Sequence, residues 1–153
     1  MDNFRVNVYI ETTVRGPSRG AAAGMWLVEY ILPRSGRAEK REGILYREDT
    51  TWNALTLELI NEAFSILTKP CLIRVNTECP HVLNVMRNGT LPVWEKNGWI
   101  NAKGEPVKNK EAWQRACFWM RPHAVTVEDG WHGHKEEMRG KIREELERRR
   151  EAG

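Results

Sequence analysis

Cysteine is scarce in this 153-residue chain: three residues, Cys71, Cys79 and Cys117, with no C-x-x-C spacing. An odd number without that spacing excludes a disulfide framework and a structural zinc site. It suits small buried thiols in a reducing, cytoplasmic compartment. Long apolar runs are missing as well; nothing approaches the roughly eighteen residues that a membrane span needs. The opening Met1-Asp-Asn-Phe-Arg-Val has no basic segment followed by an apolar one, so no secretory leader is expected. A dominant charge is also lacking. Lys plus Arg number 24 against 21 Asp plus Glu, a net +3 that excludes a histone-like polycation and leaves room for a local basic patch.

What remains is an ordinary globular composition, 41% hydrophobic and 29% charged, of a length that predicts a single domain over residues 1–153. Tryptophan is the excess: Trp26, Trp52, Trp94, Trp99, Trp113, Trp119 and Trp131.

The first third reads as three strands. Phe4 to Glu11 alternates Val6, Val8 and Ile10 with Asn7, Tyr9 and Glu11. Gly16, Pro17 and Gly20 mark a turn, Ala21 to Leu32 forms a second strand, and Arg41 to Arg47 forms a third. The period then changes. Asp49-Thr50-Thr51 caps a helix in which Leu55, Leu59, Ile60, Ala63, Phe64 and Leu67 recur at helical spacing. Cys71 to Val75 has the look of a buried parallel strand, and Pro80 opens a second helix that Gly89 and Pro92 should break. Trp94 to Trp99 reads as a short helix, Asn109 to Met120 as a longer one, Ala124 to Val127 as a fifth strand, and residues 134–150 as a charged final helix. Hairpins followed by helical crossovers predict a mixed α/β sheet with helices on its faces.

The positive charge is localised. Residues 84–121 hold seven basic side chains (Arg87, Lys96, Lys103, Lys108, Lys110, Arg115, Arg121) and three acidic ones, a local +4, so the rest of the chain sums to −1. Trp94, Trp99, Trp113 and Trp119 lie in the same insert. Basic side chains beside aromatic surface suit a sugar-phosphate backbone, although tryptophans at this spacing also hold short helices together.

The run Trp94-Glu-Lys-Asn-Gly-Trp99, then Pro106-Val-Lys-Asn109, then Trp113-Gln114, resembles the basic handle of the ribonuclease H family. Val8-Tyr-Ile-Glu11, Thr50-Thr-Trp-Asn53 and Val75-Asn-Thr-Glu78 follow the family's order, so the likeness spans about residues 5–145. The resemblance implies a ribonuclease H-like, five-stranded mixed sheet in the order 3-2-1-4-5 with helices on both faces. It implies hydrolysis of the RNA strand of an RNA–DNA hybrid with Mg²⁺ or Mn²⁺, the hard cations that clustered carboxylates hold. Glu11 stands in the place of the first-strand acid. Glu78 stands near the fourth-strand acid, with Asn76 and Thr77 as neighbouring alternatives for that slot. The first-helix acid falls on Thr56, with Glu58 two residues on, and the last acid falls on Lys141 in the simplest match.

On the same resemblance, Thr12, Thr13, Asn53, Trp94, Lys96, Asn97, Trp99, Lys103, Lys108 and Lys110 would contact nucleic acid. His132 or His134 would take the loop-histidine place associated with product release; as an H-x-H pair they lack the further ligands that zinc requires. With the acidic set incomplete, a catalytically degenerate nucleic-acid-binding module is the alternative expectation.

Overall fold

The computed structural model describes residues 4–153. Five strands, β1 (Phe4–Thr12), β2 (Gly20–Ile31), β3 (Ala38–Thr50), β4 (Cys71–Asn76) and β5 (Ala124–Glu128), form one sheet in the order β3-β2-β1-β4-β5. The β1–β2 and β2–β3 pairs are antiparallel, while β1–β4 and β4–β5 are parallel. The helices are α1 (Trp52–Ser65), α2 (Pro80–Arg87), α3 (Thr90–Lys96), α4 (Lys110–Met120) and α5 (Lys135–Ala152). This is the mixed 3-2-1-4-5 sheet with helices on both faces that the resemblance implied.

Alternation along β1 and β2 decides which helix covers which face. Val6, Val8, Ile10, Trp26 and Val28 point into the main core with Leu55, Leu59, Phe64 and Trp113. Ala23, Met25 and Leu27 point the other way and meet Met138 and Ile142 of α5. Tyr9 packs on this second face, and Glu11, two residues further along β1, shares it. Thr51 caps α1 by accepting the Ala54 N–H at 3.2 Å, and Asn61 Nδ2 donates to the Ala112 carbonyl at 3.1 Å, tying α1 to α4.

Two expected features differ. Gly89 does end α2, at φ 64°, but Pro92 lies within the first turn of α3, where a missing N–H costs nothing. The short helix therefore runs from Thr90 to Lys96 and stops before Trp99, which adopts a left-handed φ of 63°. β3 is also longer than expected, because its exposed charged residues keep pairing with β2 from Ala38 to Thr50.

The Trp26 indole lies over Gly43, its partner on β3, and its Nε1–H donates to Glu62 at 3.0 Å. A Cβ at position 43 would sit 2.5 Å from Trp26 Nε1. Gly43→Ala should therefore cost about 1–3 kcal/mol by overpacking, read as a lower urea midpoint; an unchanged midpoint would show that the indole moves freely. Thr56 is fully buried, and its Oγ1 makes no hydrogen bond of normal geometry, with only the weakly accepting Cys79 thiol beside it. Replacing that hydroxyl with a methyl in Thr56→Val should raise stability by about 1 kcal/mol, and a loss of stability in the same titration would mean the hydroxyl is bonded.

Candidate active site and nucleic-acid interface

Parallel pairing sets Tyr9 of β1 opposite Asn76 of β4. Two residues beyond each lie Glu11 and Glu78, so both carboxylates emerge at the carboxyl ends of neighbouring strands. Glu11 is 3% exposed. A carboxylate that far from water must be matched by donors, and the chain supplies several. His132 Nε2 lies 2.9 Å from Oε2, Arg139 Nε 3.1 Å from Oε1, and Lys135 Nζ 3.3 Å from Oε1. Lys135 Nζ also contacts Glu78 Oε1, so one ammonium touches both carboxylates. Arg15 approaches from the more open side, 3.1 Å from Glu78 and 3.9 Å from Glu11.

Local geometry explains each donor. His132 Nδ1 accepts the His134 backbone N–H at 3.2 Å, which leaves the ring proton on Nε2 and aims it at Glu11. Tyr9 packs against both imidazoles, tilted to His132 and edge-on to His134, with centroids 4.6 and 4.8 Å away. His134 Nε2 meets Glu29 at 3.0 Å, and Asn7 Nδ2 donates to the same carboxylate at 3.2 Å. Burial opposes ionisation of Glu29, but these hydrogen bonds and the nearby positive charge outweigh it and leave its pKa lowered. Lys135 and Arg139 stand one turn apart on α5 and so share a face.

Glu11 and Glu78 are thus brought together, and the other expected acids are not. Glu58 turns to Arg47 of β3, 2.8 Å away, because its position on α1 faces the sheet edge rather than β1. In place of the expected catalytic role, Glu58 is an ion-pair partner of β3. Lys141 pairs with Glu42 at 2.7 Å, its pKa raised by that bond, and stands apart from Glu11; the α5 residues at the carboxylates are Lys135 and Arg139. Asn76 Nδ2 donates to the Val8 carbonyl at 3.4 Å, and Thr77 Oγ1 accepts the Cys79 N–H at 3.2 Å, so Glu78, paired with Lys135 and Arg15, is the acid that this stretch brings to the site. His132 and His134 both lie at the site, held on carboxylates.

A groove of about 680 Å³ adjoins these acids, lined among others by Trp52, Asn53, His81, Lys108 and Arg19. Trp52 also lines the small cleft between Glu11 and Glu78, so cleft and groove share this residue. Asn53 Oδ1 accepts the Cys79 S–H at 3.1 Å, which leaves its amide to donate. Burial lowers the His81 pKa, so this ring is uncharged at neutral pH. Thr12 turns its hydroxyl to the Val14 carbonyl at 2.7 Å and is 8% exposed, whereas Thr13 is exposed with its hydroxyl bonded across to Ala23.

In the handle, Lys96, Asn97, Lys103, Lys108 and Lys110 are exposed, and among the described residues none of the four lysines pairs with a carboxylate. Trp99 is a correction. It is 9% exposed and packs with half-buried Trp94 (6.1 Å between centroids), which in turn packs on the buried Trp113 (6.0 Å). These rings hold the insert together; the charge is offered by the lysines.

Sequence reading missed Lys135, Arg139 and Trp52 as site residues. For the two cations a signal existed, since their spacing of four beside the Met138–Ile142 stripe places them on the sheet-facing side of α5. Hard carboxylate oxygens aimed at one point, already holding an ammonium, fit one divalent cation in exchange for Lys135. Among the described residues Glu11 and Glu78 are the two acids that meet there, Lys135 and Arg139 of α5 lie against Glu11, and no group of three or more metal-binding side chains forms.

The family model described as RNase H matches residues 5–141. A ribonuclease H from Clostridium botulinum is 31% identical over 121 residues, covering 79% of this chain and 78% of that protein. Among solved structures, LC9-RNase H1, described as a type 1 RNase H with the type 2 active-site motif, superposes with a TM-score of 0.69 at 24% identity, covering 88% of this chain and 65% of that one. LC11-RNase H1, solved in complex with an RNA/DNA hybrid, superposes at 0.60 with 14% identity, covering 93% and 99%. With fold, handle and family match in agreement, this chain belongs to the ribonuclease H family.

Proposed function

We propose that this protein is an endonuclease that hydrolyses the RNA strand of RNA–DNA hybrids, with Glu11 and Glu78 as its acids and Mg²⁺ or Mn²⁺ as cofactor. The observation that carries this reading is the convergence of the two carboxylates on one point, in a cleft that shares Trp52 with a groove lined by Asn53, His81 and Lys108. A divalent cation bound there supplies an activated water and charge for the leaving oxygen. The chain's own residues do the rest. Asn53, its carbonyl oxygen engaged by Cys79, donates its amide to a ribose 2′-hydroxyl, the group that separates RNA from DNA. Lys96, Lys103, Lys108 and Lys110 neutralise backbone phosphates, while Thr13 borders the strand entering from the β1–β2 side. His132 orients Glu11 through its Nε2–H.

The second reading is a module that binds hybrids without cutting them. Arg15, Lys135 and Arg139 favour it, since three cations against two carboxylates leave the site with net positive charge.

A labelled hybrid of defined sequence distinguishes the two. Wild type should cut it with Mg²⁺ or Mn²⁺, and Glu11→Gln or Glu78→Gln should lower the rate by at least about 10²-fold. Wild type that binds but never cuts, with either ion, leaves the binding module. Affinity should fall steeply with salt. Lys103→Ala/Lys108→Ala/Lys110→Ala together should reduce the slope of log K against log salt by roughly 2–3, about 0.7–0.9 per lost phosphate contact. An unchanged slope would move the binding surface elsewhere.

A further inference from the structure

We propose that Lys135 is a tethered counter-ion of the Glu11–Glu78 pair, and that a divalent cation enters this site only by displacing it. The inference rests on the reading of Glu11 and Glu78 as the metal-binding acids and adds the element that regulates them.

Three observations carry it. Lys135 Nζ lies within contact distance of both Glu11 oxygens, at 3.3 and 3.5 Å, and also touches Glu78, so it occupies the point between the carboxylates. Its side chain is only 17% exposed, against 43% for Arg15, the other cation that reaches both acids. It belongs to the first turn of α5, directly after a loop in which Gly130 takes a φ of 116°, so its flexible four-carbon stem starts at the edge of the helix rather than within it. Arg139, by contrast, enters from the following turn and touches Glu11 alone.

The physical consequence is competition. An ammonium attached to the site is an intramolecular ligand with a high effective concentration, and it holds the two oxygens a metal would need. Entry of a divalent ion must detach Lys135 from both carboxylates and accept the remaining charge of Arg15 and Arg139 nearby. Metal affinity in this chain is therefore set from α5, by a residue that carries no metal-binding atom when protonated.

Calorimetric titration of Mn²⁺ and of Mg²⁺ into the metal-free protein, without nucleic acid, tests this. Lys135→Met, close in volume and uncharged, should bind Mn²⁺ at least tenfold more tightly than wild type. Adding Glu11→Gln to that variant should abolish the gain, and Lys135→Arg should stay near wild type. Equal or weaker binding by a Lys135→Met protein that remains folded by circular dichroism overturns the proposal, as does absence of metal binding in every variant. Should Lys135→Met not fold, wild type is read directly: the Lys135 amine should be acetylated faster with saturating Mn²⁺ than without, and equal rates overturn the proposal. A metal effect of Lys135 in a protein that cuts no hybrid removes the hydrolase reading and leaves this one standing.

Discussion

The buried Glu11 carboxylate is the constraint on which this end of the molecule depends. A charged group 3% exposed at the end of a central strand has to be met by donors or be expelled. The chain meets it with His132, Lys135 and Arg139, all contributed by the loop and helix that follow β5. Glu11 therefore does more than mark a site. It fixes the entry of α5, and α5 in turn covers Met25 and Leu27 of β2 through Met138 and Ile142. The Tyr9 ring packed against both imidazoles and the Glu29 carboxylate on His134 hold the same loop from the strand side.

The handle divides its labour in a different way. Its tryptophans face inward: Trp94 bridges Trp99 and Trp113, and the left-handed backbone at Trp99 is the strain accepted to turn that ring into the core. An insert built on aromatic packing can then hold exposed, unpaired lysines at fixed positions without help from counter-charges. The excess of tryptophan in the composition is thus chiefly structural, and the local +4 is the part that faces a polyanion.

Most of the architecture was legible because it follows from period. Alternation in Val6, Val8 and Ile10 and the helical recurrence from Leu55 to Phe64 specify faces, and faces specify the core. The placements that failed concern phase and rotamer rather than period. Glu58 has the right charge on the right helix, yet its angular position hands it to Arg47. Lys141 was placed by counting along a loop motif, whereas the α5 phase is fixed by packing. With Met138 and Ile142 inward, at about 100° per residue Lys135 and Arg139 lie to one side of Met138 and Lys141 to the other. That much could have been read from the apolar stripe alone. The place of Trp52 could not, because nothing in its spacing says that it lines both cleft and groove.

The cations packed around Glu11 and Glu78 bear on how folding and chemistry are linked. In a site made only of converging carboxylates, like charges repel until a metal arrives, and the fold bears that repulsion. Here Lys135, Arg139 and Arg15 relieve it from within the chain. The folded state then needs no ion to satisfy Glu11, and the same contacts would compete with a divalent cation for its oxygens. What a lysine on α5 gives to stability it withholds from metal binding, because both draw on the same two carboxylates. Any function of this ribonuclease H family member that depends on a metal must therefore begin by breaking contacts on which its own fold relies.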